Sequence, residues 1–150
     1  MRLSARVDYA LRAVVELAAT GVTTPLSADR IAKAQDIPGK FLESILVQLR
    51  RGGIVHAQRG PEGGYWLARP AAEISLADVI RVIDGPLASV RSHRPEDLGY
   101  RGAATALQDV WIALRASERE ILDLVSVADV ASGSLPRRVQ ELIADPRAWA

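Results

Sequence analysis

Apolar residues recur at helical spacing from the start of the chain. Val7, Leu11, Val14 and Ala18 fall on one face, with Asp8, Arg12 and Glu16 on another. This predicts an amphipathic helix that Gly21 and Pro25 terminate. In LSADRIAKAQDI, Ser27 suits an N-cap and Ile31, Ala32 and Ala34 are spaced to pack inward, predicting a second helix of about two turns. PGKFLESILVQLRRGGI predicts a third. Pro38 suits its first turn, and Phe41, Leu42, Ile45, Leu46 and Leu49 form its apolar stripe. Arg50 and Arg51 sit against the negative end of its dipole, and Gly52 and Gly53 close it.

Periodicity then changes from helical to extended. IVHAQ and YWLA are β-prone and flank the turn RGPEGG, so a hairpin is expected, closed by Pro70. Two short helices around a tight turn, after a longer helix, read as helix-turn-helix. The hairpin makes it winged. Helical spacing returns in ISLADVIRVIDGP, where Ser75 and Asp78 form a capping box ahead of Val79, Ile80, Val82 and Ile83, and Gly85 and Pro86 end the helix.

Residues 88–102 lack an apolar period and predict a long loop. From Ala103 to Val125 the apolar positions Leu107, Val110, Leu114, Ile121 and Leu124, with Ser117 between, are spaced alternately by three and four. Ala104, Trp111, Leu122 and Val125 widen this seam. Such a helix, about 35 Å long, exceeds what the short helices could cover. A second copy of the chain is the expected cover, through Leu107, Val110, Trp111, Leu114, Ile121 and Leu124; an intrachain core is the other reading. SLPRRVQELIADP predicts a last short helix, capped by Ser134 and stopped near Pro146. The expected architecture is mainly α: a winged helix-turn-helix over 1–70, a connecting helix and loop over 71–102, and a long dimerisation helix with a C-terminal helix over 103–150.

Composition narrows the function. The formal net charge is +1, but residues 1–70 hold ten Lys/Arg against six Asp/Glu, and residues 71–150 nine against twelve. A basic first half suits a polyanion. Cysteine is absent, which excludes disulfides, thiolate metal sites and thiol redox sensing. No apolar run is long enough for a membrane span, and the charges in the first helix exclude a signal-peptide core. A soluble, cytoplasmic protein is expected. With two histidines, no metal-ligand spacing and no nucleophile elbow, an enzyme is not expected.

The glycine-rich turn lacks the Lys-Ser/Thr of a phosphate-binding P-loop and opens no helix. In a winged helix-turn-helix the recognition helix enters the major groove and the wing reaches the neighbouring backbone or minor groove. Gly60, Gly63 and Gly64 permit close approach, and Arg59 suits a narrow, strongly negative minor groove. On the recognition helix Lys40 can take a phosphate or a guanine edge, Ser44 a phosphate or a base, and Glu43 can accept from cytosine N4. The alternative for Glu43 is a salt bridge to Arg50 or Arg51. Ser27, Arg50 and Arg51 complete the DNA-binding set. Glu62, at the wing tip, would repel phosphate and favours the rival reading, a winged-helix module for protein–protein contact. His56 is structural or a DNA contact. His93, Glu96 and Asp97 are too sparse a donor set for a metal site.

MRLSARVDYALRAVVELA, GKFLESILVQLRRGGIVHAQRGPEGGYWLARP and ISLADVIRVIDGP resemble the Rrf2 family of bacterial transcription regulators. The resemblance runs to about Gly85 and, through the helix with Trp111, to about residue 130. It implies a homodimer that binds a palindromic double-stranded operator, usually as a repressor. It places a DNA-contacting glutamate on Glu43, its neighbours on Lys40, Phe41 and Ser44, a minor-groove arginine on Arg59, and phosphate contacts on Arg2 and Ser4. Well-known members hold an iron–sulfur cluster through three loop cysteines, some with a side chain from the partner's first helix, where Asp8 or Arg12 stands here. The corresponding loop, SVRSHRPEDLGYRGAAT, has no cysteine, so no cluster and no other cofactor is expected. Asp8, Arg12, His93, Arg94, Tyr100 and Arg101 are the residues of a possible effector region, polar enough for a small anion.

Overall fold

The computed structural model describes residues 2–21 and 24–150. In chain order the elements are α1 (Ala5–Thr20), α2 (Ala28–Gln35), α3 (Gly39–Arg51), β1 (Val55–Gln58), β2 (Gly64–Leu67), α4 (Leu76–Asp84), α5 (Leu107–Leu122), α6 (Val127–Ser132) and α7 (Arg137–Ala144), joined by turns and short 3-10 segments. The Ser4 hydroxyl caps α1 by accepting from the Val7 amide at 3.1 Å. Val7, Ala10, Ala13, Val14 and Leu17 are its buried face, while Leu11 and Ala18 are half-buried. The face is rotated from the one expected because α1 is the central element, in contact with α2, α3, α4 and α6. Its alanines let those neighbours approach.

The helix-turn-helix forms as its capping residues dictate. Ser27 accepts from the Arg30 amide at 3.2 Å. Asp36 ends α2 in the left-handed conformation, and the Ile37 amide bonds back to the Ala32 carbonyl at 2.9 Å, which buries Ile37. Pro38 stands at the N-cap of α3 rather than inside its first turn. Two inward expectations fail. Ala34 is exposed, since eight residues of α2 bring only Ile31 fully into the core. Phe41 is 55% exposed, because Leu42, Ile45, Leu46 and Leu49 complete the buried stripe and position 41 is turned about 100° away from it. Its ring rests near Tyr9 instead, centroids 6.5 Å apart.

β1 and β2 pair antiparallel with Val55 opposite Leu67 and Gln58 opposite Gly64. The hairpin is stitched to the segment before α2 by reciprocal bonds between Leu26 and Tyr65, at 2.9 and 2.7 Å. In α4 the Ser75–Asp78 capping box closes in both directions.

α5 is shorter than the expected 103–125 helix: it runs Leu107–Leu122, about 24 Å. At its start Gly102–Ala104 form a 3-10 turn. At its end the chain reverses so that the Val125 carbonyl accepts from the Leu76 amide at 3.0 Å and the Val127 amide donates to the Ile74 carbonyl at 2.8 Å. Val125 and Val127 are thereby buried. A second capping box, Ser126–Asp129, then starts α6, which packs on α1. Sequence reasoning missed this helix, although SVAD at 126–129 repeats the pattern of SLAD at 75–78. Ser134 caps nothing; Pro136 holds the N-cap of α7.

Candidate nucleic-acid interface

α3 divides its residues by face. Leu42, Ile45, Leu46 and Leu49 are buried, and Lys40, Phe41, Glu43, Ser44, Arg50 and Arg51 are exposed on the other side. No salt bridge among the described residues involves Lys40, Glu43, Arg50, Arg51 or Arg59. The alternative of a Glu43 ion pair with Arg50 or Arg51 is therefore not adopted, and one acid and four cations stand unpaired. Ser44 is more constrained. It donates to the Phe41 carbonyl at 3.1 Å and accepts from Arg6 Nη1 at 3.0 Å, so its proton is committed within the fold.

Arg6 and Gln48 were not foreseen from the sequence. Arg6 Nη2 donates to Gln48 Oε1 at 2.8 Å, and Gln48 Nε2 donates to the Val82 and Ile83 carbonyls at 3.0 and 3.1 Å. This chain ties α1, α3 and the last turn of α4 together and sets the height of the recognition helix. Neither residue carries a local signal, because both act across 34 to 42 positions of sequence. Ser4 donates to Asp84 Oδ2 at 2.9 Å besides capping α1, and Arg2 is exposed beside it.

The wing tip, Arg59–Gly63, is exposed around Arg59, Gly60 and Glu62. Its glycines serve the hairpin. The Gly63 amide bonds to the Gly60 carbonyl at 3.0 Å. Gly64 sits at φ +147°, and a Cβ there would lie 2.5 Å from the Leu26 carbonyl oxygen, the point at which the hairpin is stitched to the helix-turn-helix. Trp66 is half-buried beside His56, ring centroids 5.8 Å apart, and Tyr65 packs against the core.

The residues of the expected effector region disperse within one chain. Arg12 donates to the Gln35 carbonyl at 2.6 Å, pairs with Asp8 at 2.9 Å and covers the Tyr9 ring, so both α1 residues are engaged at the end of α2. His93 Nδ1 bonds within its own loop to the Arg91 carbonyl, and Tyr100 accepts from Trp111 Nε1 at 2.9 Å. Arg101 is exposed. Arg94 lines an open cleft of about 570 Å³ with Arg81, Glu96, Arg115 and Arg119. The loop is pinned to α5 by Gln108, which donates to the Pro95, Glu96 and Leu98 carbonyls, and by the Arg115–Glu96 pair. A backbone hydrogen bond and that pair hold the Glu96 carboxyl below its ordinary range. Among the described residues no three metal-ligating side chains cluster, and no helix is long and apolar enough to cross a membrane.

A recognition helix held by its neighbours and a hairpin stitched beside it define a winged helix-turn-helix. The chain belongs to the Rrf2 family. The family model, described as an iron-dependent transcriptional regulator, matches residues 3–133. The HTH-type transcriptional regulator Rv1287 of Mycobacterium tuberculosis is 54% identical over 148 residues, covering 99% of this chain and 92% of that one. CymR of Bacillus subtilis is 32% identical over 132 residues, 88% of this chain and 91% of that one. The solved structure of B. subtilis CymR, described as the global cysteine regulator of that organism, superposes with a TM-score of 0.75 at 30% identity, covering 88% and 97% of the two chains. That of T. potens IscR does so with 0.72 at 29%, covering 89% and 88%. The family is one of DNA-binding transcription regulators, not of enzymes. Its iron-dependent description does not fit this donor set: the chain has no cysteine and no three-ligand cluster replaces the thiolates among the described residues.

Proposed function

We propose that the protein is a homodimeric repressor that binds a palindromic operator without an iron–sulfur cluster and answers to a small-molecule effector. The observation that carries the DNA half is the exposed row of Lys40, Glu43, Arg50 and Arg51 on a helix whose stripe Leu42, Ile45, Leu46 and Leu49 is buried in the core, with Arg59 exposed on the wing tip, all free of ion pairs among the described residues. Cations left unpaired at one face are available to phosphates, and counterion release would drive their binding. Glu43 adds no affinity. It rejects bases that present no donor, which is a specificity role. Arg59 enters the minor groove beside the wing, with Gly60, Gly63 and Gly64 keeping the tip thin, while Arg2, Ser4 and Ser27 lie at helix N-termini suited to the backbone. Phe41, exposed next to Lys40, makes an apolar base contact.

Residues 1–70 bind DNA in this reading, 71–102 carry the connection, and 103–150 join two copies. Support for dimerisation is the apolar side of α5: Leu107, Val110 and Leu114, with Leu124 just beyond, are exposed. Half-buried Trp111 and Ile121 border them. In the dimer, Asp8 and Arg12 of one copy approach the loop of the other, assembling an effector region with Arg94 and Tyr100. The test is selection of duplexes from a random library by the full chain, followed by a salt series on the winner. An enriched inverted repeat bound with steep salt dependence is expected. Failure to enrich any sequence, with salt-insensitive residual binding, would overturn the reading.

A further inference from the structure

Val47 is an apolar residue that the core does not use. It lies in the middle of α3, about 150° round the helix from the centre of the stripe Leu42, Ile45, Leu46 and Leu49, so it points almost directly away from the core. It is 37% exposed. A β-branched side chain loses rotamer freedom in a helix, and this one gains no burial in return. Neither helix propensity nor packing therefore accounts for a valine here. Single apolar residues are common on protein surfaces. The position sets this one apart, because it is the centre of the face that carries Lys40, Glu43 and Arg51.

Its neighbours narrow what this face can read. Val47 borders an open groove of about 550 Å³ with Ser44, Gln48 and Arg51. Ser44 gives its proton to the Phe41 carbonyl and accepts from Arg6. Gln48 accepts from Arg6 and donates to the Val82 and Ile83 carbonyls. Both polar side chains are thus turned to the fold, and the methyls of Val47 and the guanidinium of Arg51 remain for a ligand. Glu43 stands one turn before Val47 on the same side, about 6 Å along the axis. That is roughly two base-pair steps at about 3.4 Å each. An apolar group in the major groove has one base-edge feature to match, the C5 methyl of thymine. Opposite cytosine the same methyls would leave the N4 amino group without an acceptor.

We propose that Val47 is a specificity residue of the recognition helix, selecting a thymine by its C5 methyl about two base pairs from the base that Glu43 reads. The contact rests on the operator reading given above, with α3 in the major groove. Glu43 and Val47 then read by opposite means: the carboxylate demands a donor, and the valine demands a methyl and rejects exposed polar edges.

The experiment removes single methyl groups from the DNA. The full chain selects a duplex from a random library, and each thymine of that duplex is replaced in turn by uracil, which keeps the O4 acceptor and lacks only the methyl. Anisotropy titrations give the affinities of the native chain, Val47→Ala and Phe41→Ala. One thymine in each half-site is expected to lose about fourfold in affinity on methyl removal, the worth of one methyl taken out of water. Val47→Ala is expected to bind the thymine duplex about fourfold more weakly and to be indifferent to uracil at that position. Its Tm should be unchanged or raised, since alanine is the better helix former. Phe41→Ala, which removes the other exposed apolar side chain of α3, is expected to keep the sensitivity at that thymine. A selected duplex with no methyl-sensitive thymine would sink the proposal and leave the operator reading standing. So would sensitivity that survives in Val47→Ala, or that disappears in Phe41→Ala instead, or a Val47→Ala variant that weakens every duplex equally. Failure to select any duplex would overturn both.

Discussion

Arg6 reaches across from the first helix to Gln48 in the middle of the recognition helix, Nη2 to Oε1 at 2.8 Å, and Gln48 passes the connection to α4 through two carbonyls. One amide side chain thus receives from a cation and donates to a helix C-terminus. Replacement by alanine removes both functions at once. Gln48→Ala is expected to lower stability by about 1–3 kcal/mol, the range for leaving part-buried polar groups unpaired. Urea unfolding measures it, and the loss should extend to every DNA sequence equally, because Gln48 sets the position of the helix. An unchanged urea midpoint would show that water replaces the network.

Gly64 tests the stitch between wing and helix-turn-helix. A Cβ at φ +147° and 2.5 Å from the Leu26 carbonyl oxygen forces the Leu26–Tyr65 pair apart. Gly64→Ala is expected to destabilise by about 1–3 kcal/mol, seen as a lowered Tm. Gly99→Ala, where a Cβ meets nothing within 4 Å, is the silent control.

Arg59 and Glu43 separate affinity from specificity. Arg59→Ala is expected to weaken binding to all duplexes and to reduce the slope of log K against log salt by about 1. Glu43→Ala is expected to leave that slope alone and to relax discrimination at one base pair by about 1–3 kcal/mol. Anisotropy titrations on the selected duplex and its single-base variants, at several salt concentrations, distinguish the two. If both variants alter only the slope, direct readout by Glu43 is wrong.

Leu114 is 41% exposed, so a charge there is tolerated in an isolated chain but not between two copies. Leu114→Glu is expected to yield folded monomers with much weaker operator binding. Sedimentation equilibrium reads the mass directly, and a dimeric variant would move the interface off α5.

Burial raises the Glu118 carboxyl above its ordinary range. The unfolded chain therefore ionises first as pH rises, and the folded state binds more protons across the interval between the two values. The sign is a penalty: absent at acid pH, where both states are protonated, and complete above the folded value. The charge of the chain's amino terminus acts the other way, by less than burial does. Glu118→Gln is expected to stabilise the chain at neutral pH and to make little difference below the ordinary glutamate range. Urea midpoints measured at both ends give the comparison, and a destabilised Gln variant at neutral pH would mean that the carboxylate has a partner in solution.

The winged helix-turn-helix was legible because each part has a local cause. Ser27 and Ser75 announce helix starts, Leu42 to Leu49 give one stripe, and two β-prone runs flank a glycine turn. The exposed polar positions Lys40, Glu43, Arg50 and Arg51 were legible for the same reason, since period and stripe together say which side chains face outward, and Arg59 from its place at the hairpin turn. The family signature then assigned roles that period alone does not carry.

Tertiary structure decided the rest. Phe41 and Ala34 lie outside the core because burial depends on which neighbour covers a face, not on hydropathy. α5 stops at Leu122 because the chain turns back to pair Val125 with Leu76 and Val127 with Ile74 at the start of α4, bonds between residues far apart in sequence. Arg6, Gln48 and Glu118 gave no sign of themselves, since each owes its importance to groups brought close only when α1, α3, α4 and α5 pack. Local pattern determines which elements form and which sides are apolar. Packing alone determines which polar groups lose water, and those are the groups whose chemistry the fold controls.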